Sequence, residues 1–294
     1  MKLVRLLPTI FLITTALSAQ QTQHVLGFMT DFDVKDDAIG ICKAVMVGID
    51  PDIRIIDISH QVTPYDIAEG ARFLAGSAPY FPADAIFVVV IDPGVGSTRK
   101  AIIAHSRRGQ YFVLPDNGLL TLFPSTGENQ IVEAREITNP GWMIGAKLSS
   151  TFHGRDIFSP TGAHLARGDD WTQAGPVLDV AKLVRLNIQN PTLDAAGLHT
   201  EVLGLDGPFG NVILNLPSET FAKLGYHLGD SVPVTIDNHP YTILFVKTFS
   251  DVPVGSPLLY IDSRGRVALS LNQRNFAEKY NITPGLAVTI PVKK

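Results

Sequence analysis

The sequence predicts an α/β N-terminal domain, a mostly parallel sheet with helices on both faces, followed by a smaller all-β, barrel-like domain. Three observations carry this. Apolar strands alternate with helix-period stretches through the first part of the chain. From about Leu183 that period gives way to short alternating strands. The length, 294 residues, is long for one domain and natural for two. The expected division is a leader over 1–19, the α/β domain over 24–187, a linker over 188–197 and the β domain over 198–292.

Lys2 and Arg5 precede a nearly unbroken apolar run over residues 6–17, and Ala16, Ser18 and Ala19 are small residues that a signal peptidase accepts. This predicts a secretory signal peptide, since the run is short for a membrane span. The mature chain is then expected to be exported, periplasmic or secreted, with no membrane attachment after cleavage. The single cysteine, Cys42, has no partner for an intramolecular disulfide and reads as a small buried hydrophobe. A formal net charge of −4 argues against a general nucleic-acid binder.

Residues 24–29 read as a strand that delivers Thr30-Asp31 at its carboxyl end. Ala38, Ile41, Cys42, Val45 and Met46 recur at helical spacing up to Pro51. Residues 53–58 form the next strand, 66–74 the next helix, and 85–91 a continuous apolar strand. This is the βαβαβ order of a largely parallel sheet, whose ligand sites lie beyond the carboxyl ends of the strands. Those ends carry Asp31, His60 and Asp92. After Gln189-Asn190-Pro191-Thr192 come strands over 201–205, 211–216, 231–236, 241–246, 258–261 and 267–271. Turns such as Asp206-Gly207 and Ser263-Arg264-Gly265 separate them.

Four segments concentrate polar groups in predicted loops. Asp31, Asp33, Asp36 and Asp37 place four carboxylates within seven residues. Asp36 and Asp37 suit a helix N-terminus, and the remainder suit a metal, sugar hydroxyls or a cationic ligand. Asp92-Pro93-Gly94-Val95-Gly96-Ser97-Thr98-Arg99 lets backbone approach a ligand after a buried strand, or is an ordinary tight turn. It lacks the Gly-Lys-Ser/Thr ending of a P-loop. Pro115-Asp116-Asn117-Gly118 is explained by turn chemistry alone. In Thr151-Phe152-His153-Gly154-Arg155-Asp156 the histidine is a base, an orienting group or a structural residue. So many aspartates with a histidine suggest a metal-dependent hydrolase, but the closely spaced His pairs of zinc enzymes are missing.

Taken together, these segments resemble the S-adenosyl-L-methionine (SAM) hydroxide adenosyltransferase family, relatives of the bacterial fluorinase and chlorinase. The resemblance is carried by Thr30-Asp31-Phe32, Asp57-Ile58-Ser59-His60, Asp92-Pro93-Gly94-Val95-Gly96 and Pro115-Asp116-Asn117-Gly118-Leu119. It continues through Phe152-His153-Gly154-Arg155-Asp156, Phe209-Gly210-Asn211-Val212 and Ser263-Arg264-Gly265, in the family's order. It implies hydrolysis of SAM to adenosine and methionine by water attacking ribose C5′, with SAM as substrate and no cofactor or metal. It also implies a homotrimer whose active sites lie between the N-terminal domain of one subunit and the C-terminal domain of its neighbour.

The family's Asp, Arg, His trio matches Asp92, Arg99 and His153. The fluorinase has Tyr, Thr and Ser where this chain has Asp92, Val95 and Gly154, so the chain sides with water over halide. The family pattern places Asp31 on the ribose hydroxyls, and Asp36, Asp206, Ser263 and Arg264 on the methionine amine and carboxylate. Tyr65 matches an aromatic wall, Phe209 and Asn211 the neighbour's side of the pocket, and Phe249 and Asn272 positions near adenine. Asp33 departs from the glycine usual after Thr-Asp-Phe. The rival readings are a chloride-dependent SAM halogenase and an exported nucleoside- or SAM-binding protein without turnover.

Overall fold

The computed structural model describes residues 24–294; the expected signal peptide lies outside them. Strand β1 (Val25–Thr30) is followed by helix α1 (Ala38–Ile49), β2 (Arg54–Ser59), α2 (Ile67–Ser77) and β3 (Ile86–Val90). Strands β4 (Ala101–Ser106), β5 (Tyr111–Pro115) and β6 (Ile131–Glu136) come next, then α3 (Ser159–Ala166) and β7 (Val177–Leu178). The seven-stranded sheet has the order β2-β1-β3-β5-β4-β6-β7. Its β2-β1-β3-β5 part is parallel, and β4, β6 and β7 extend it by antiparallel pairs.

β1 and β3 are buried on both faces, as interior parallel strands must be. Alternation sends Leu26, Phe28, Val88 and Val90 against Cys42 and Met46 of α1, Ala163 of α3 and Phe158 just before α3. Met29, Phe87 and Val89 go to the opposite face, against Leu74 of α2. α2 starts where Asp66 Oδ1 accepts the Glu69 amide at 2.9 Å, which satisfies one of the free donors of a helix start. No helix among the described residues is long and apolar enough to cross a membrane.

The second domain contains β8 (Thr192–Asp194), β9 (Gly197–Asp206), β10 (Asn211–Pro217), β11 (Ser231–Ile236) and β12 (His239–Phe245). It is completed by β13 (Pro257–Ile261), β14 (Arg266–Leu271) and β15 (Ala287–Ile290). The order β10-β14-β13-β12-β11-β15-β9 closes on itself through a β9–β10 pairing, and β8 adds to β9. This is a seven-stranded barrel, which removes the exposed sheet edges. Its interior is filled by residues such as Val212, Leu214, Val234, Leu259 and Leu269.

Candidate active site

Two parallel strands end side by side at the cleft. Asp31 follows β1 and Asp92 follows β3, at the carboxyl edge where open α/β sheets bind ligands. A cleft of about 390 Å³ is lined there by Asp31, Phe32, Tyr65, Asp92, Val95 and His153, among others. His153 comes from a different part of the chain, just ahead of a π-helical turn, Gly154–Phe158, that leads into α3.

Arg99 joins the predicted trio. Its Nε donates to Asp92 Oδ1 at 3.0 Å and Oδ2 at 3.1 Å, and its Nη2 donates to Oδ2 as well. The same Nη2 donates to His153 Nδ1 at 2.8 Å. A guanidinium only donates, so Nδ1 must be the unprotonated nitrogen and a neutral ring carries its proton on Nε2. Burial, and then the Arg99 charge, push the His153 pKa below its ordinary value, against the pull of Asp92, Asp156 and the Ser149 carbonyl. The ring is therefore neutral at pH 7. The Asp92 carboxylate is only 4% exposed, yet Oδ1 takes a single hydrogen bond from Arg99 and keeps lone-pair capacity for a ligand.

Neighbouring groups hold this arrangement, and sequence reasoning did not single them out as supports. Asp156 is fully buried. It accepts from Arg155 Nε at 2.5 Å and from the Ser149 amide at 2.6 Å, which ties off the loop carrying His153. Burial raises the Asp156 pKa, but Arg155 and the Ser149 N–H outweigh it and the net direction is down. Asn117 Nδ2 donates to the Ile91 carbonyl at 2.8 Å, so the Pro115–Gly118 turn braces the end of β3. Thr30 Oγ1 and His60 Nδ1 are 2.9 Å apart, and the His60 carbonyl accepts the Asp33 amide at 2.8 Å. His60 is thus a buried structural histidine outside the lining of the cleft.

Asp31 Oδ2 accepts the Tyr65 amide at 3.0 Å, leaving Oδ1 available. Asp33 adopts φ of 62°, in the left-handed region that favours glycine. The aspartate tolerates it with Oδ1 accepting the Val34 amide at 2.6 Å. Asp33→Gly should change the unfolding free energy by less than about 1 kcal/mol, because relieved strain is offset by added chain entropy. Urea unfolding checks this, with turnover expected to stay near the parent value.

The other predicted residues lie elsewhere. Phe209, Asn211, Phe249 and Asn272 line a separate cavity of about 1140 Å³ in the barrel domain. There Asn211 Oδ1 accepts from Ser270 Oγ at 2.5 Å, and Asn272 Nδ2 donates to the Val252 carbonyl at 2.8 Å. Asp206 pairs with Arg72 at 2.8 Å. The Arg264 guanidinium lies against Gly76 in a small cavity with Arg72, Asp262 and Arg266, and Ser263 sits in the turn before it. Asp36 Oδ1 accepts the Ala38 amide at the start of α1. Among the described residues no group of three or more His, Cys, Asp or Glu side chains is placed to hold a metal ion.

Residues 26–175 match the SAM hydroxide adenosyltransferase N-terminal domain, and residues 200–289 match its C-terminal domain. The chain belongs to this family. It is 39% identical over 260 residues to the (R)-S-adenosyl-L-methionine hydrolase of Salinispora arenicola, covering 88% of this chain and 95% of that one. It is 31% identical over 293 residues to the fluorinase of Nocardia brasiliensis, covering 91% and 97%. A crystal structure of an uncharacterized conserved protein from Thermotoga maritima superposes with a TM-score of 0.85 at 35% identity, covering 90% and 99%. The family's two-domain plan is thus present over nearly the whole described chain.

Proposed function

We propose that this member of the family hydrolyses SAM to adenosine and methionine by attack of water on ribose C5′. The observation that carries the reading is the hydrogen-bonded Asp92–Arg99–His153 chain on the cleft, with Val95 and Gly154 beside it. Neither neighbour offers a hydroxyl to a desolvated halide. A Cβ at position 154 would stand 3.0 Å from the tip of the Phe32 ring, a tight contact that asks the ring to shift by a few tenths of an ångström.

In the reaction an O–C5′ bond forms and the C5′–S bond breaks. The electron pair goes to sulfur, which leaves as a neutral thioether and needs no acid. The water must lose a proton, and the free lone pairs of Asp92 Oδ1 are the acceptor for it, since His153 Nδ1 is occupied by Arg99. Arg99 holds the carboxylate in place and is set to stabilise hydroxide character on the attacking oxygen. Asp31 takes the ribose hydroxyls through Oδ1. Asp206, with Asp36, Ser263 and Arg264, takes the amino-acid end. Tyr65 walls the cleft, while Phe209, Asn211, Phe249 and Asn272 contact the nucleoside.

The N-terminal and barrel cavities share no lining residue. Tyr65 at the one is 74% exposed and Phe209 at the other 68% exposed. Such large exposed aromatics favour a site completed by a neighbouring subunit, in a homotrimer that excludes water from the reacting atoms. Lys2, Arg5 and the apolar run over residues 6–17 support a leader over 1–19 and with it an exported protein.

The test is chromatography of the purified leader-free protein with SAM of each sulfonium configuration, with and without chloride and with chelator. The R form is included because it is named for the relatives. Adenosine and methionine, formed without halide or metal, are the expected products. A 5′-chloro-5′-deoxyadenosine peak, or binding without turnover, would overturn the reading.

The pH dependence follows from His153. Its folded pKa lies below the ordinary 6.5, so below that pH the unfolded chain takes up the proton first. The ring's contribution to stability is fully present above 6.5 and is lost as pH falls toward the lower folded value. Protonation also makes Nδ1 a donor facing Arg99. A profile of kcat/KM from about pH 5 to 8 should therefore show an acid limb centred below 6.5. His153→Gln should flatten that limb.

A further inference from the structure

Arg72 is a buried cation between the two domains that the attack of water does not use. It stands in the middle of α2 and is 5% exposed. Nη1 donates to Asp206 Oδ1 at 2.8 Å and Nη2 to the Leu205 carbonyl at 2.6 Å. Nε lies against Gly204, where a Cβ would stand 2.7 Å away. One guanidinium thus bonds to two consecutive residues at the end of β9 and packs against the one before them. Glu69 Oε1 lies 4.0 Å from Nη2.

Asp206 opens the turn that presents Phe209 and Asn211 to the barrel cavity. Its carbonyl accepts the Gly210 amide at 2.8 Å, and it pairs with Asn211 across β9 and β10. The carboxylate is 37% exposed. Oδ1 is held by Arg72, while Oδ2 takes no hydrogen bond among the described residues. We infer that Arg72 is a positioning residue for the substrate ammonium, fixing Asp206 so that Oδ2 faces that group. The inference rests on the assignment of Asp206 to the methionine amine under the proposed function.

Two effects oppose each other when Arg72 is removed. The site becomes more negative, which attracts an ammonium. The carboxylate and the turn behind it also lose their anchor. Arg72 is buried and holds two acceptors with short bonds, so geometry outweighs the charge; a misplacement of about 1 Å can cost about 10²-fold.

The test compares wild type, Arg72→Lys, Arg72→Met, Asp206→Asn and the Arg72→Met/Asp206→Asn pair, with thermal unfolding to confirm that each is folded. The readouts are kcat and KM for SAM, and the inhibition constant of a SAM analogue lacking the α-amino group. Arg72→Met should raise KM about tenfold, the worth of one charge-assisted hydrogen bond, with kcat little changed. Arg72→Lys should recover part of the loss. Neither should alter inhibition by the deaminated analogue, and Arg72→Met should add little on the Asp206→Asn background. A lowered KM, an equal loss on both ligands, or a fall in kcat alone would overturn the role of Arg72. Wild-type turnover of SAM with an indifferent Arg72→Met overturns this inference only. A wild type without turnover overturns the proposed function and this inference with it.

Discussion

Asp92→Asn should lower kcat for SAM hydrolysis by about 10²–10⁴-fold, the usual worth of a positioned general base, while KM changes little. Asparagine has nearly the same shape and its Oδ1 can still accept from Arg99, so the cleft stays in place. What disappears is the anion that takes the proton from water. His153 is poorly placed to replace it, because Nδ1 accepts from Arg99 Nη2 at 2.8 Å and burial, then the Arg99 charge, disfavour the protonated ring. His153→Gln should therefore cost less in kcat than Asp92→Asn, since it removes orientation and leaves the proton acceptor. The same substitution at Asp92 weakens a charge-assisted pair in a buried place, which costs about 1.5–3 kcal/mol of stability. Steady-state kinetics with thermal unfolding separate the two losses. A large rise in KM at unchanged kcat would make Asp92 a binding residue instead.

Gly96→Ala should be the most damaging glycine substitution near the site. Gly96 has φ of +76°, and a Cβ built there lies 2.3 Å from the Ser150 carbonyl oxygen. That contact is with backbone, so no side chain can turn aside to relieve it. Left-handed strain for a non-glycine residue costs about 1–3 kcal/mol before the clash is counted. Gly96 lies between Asp92 and Arg99, and Ser150 lies just ahead of His153. A methyl group here would wedge apart the two loops whose closeness sets the Arg99–His153 hydrogen bond. A displacement of about 1 Å predicts a fall in kcat of about 10²-fold, beside a lowered unfolding temperature. Gly94→Ala is the milder comparison: its Cβ would meet the Ser97 hydroxyl at 3.3 Å, with Arg99 Cγ at 3.5 Å and Asp92 Oδ1 at 3.8 Å in ordinary contact, and no positive φ is involved. Equal damage from both substitutions would show that the Gly96–Ser150 contact has no special part in the site.

Much of the fold was legible in residue order. Residues 24–29, 53–58 and 85–91 read as strands, and β1, β2 and β3 stand there within a residue or so of each end. The helical spacing of Ala38 to Met46 became α1. The antiparallel extension of the sheet was harder to read, because β4 and β6 pair across the chain in a direction that apolar runs do not encode. The Asp92–Arg99 pairing is local, but the loop by itself read as a ligand-approach loop or a tight turn, and only the family resemblance joined the two residues. Its junction with His153 spans 54 residues of chain, and the support from Asp156 and Ser149 has no signature beyond ordinary polar residues in a loop. Arg72 gave no signal either, since an arginine on an amphipathic helix reads as a solvated residue until the barrel is packed over it.

The residues alone determined the fold class and the order of the domains, because burial on a strand or helix repeats with a short local period that survives in the sequence. They also determined the family, because its loop motifs occur in order along both domains. The tertiary structure decided which candidates meet. It brought Asp31, Tyr65, Asp92 and His153 to one cleft, set Phe209, Asn211, Phe249 and Asn272 in another, and placed Arg72 behind Asp206. It also decided which ring nitrogen of His153 stays unprotonated. Those outcomes depend on hydrogen-bond geometry between distant segments, and such geometry exists only once the two cores have packed and brought the loops to within hydrogen-bond distance.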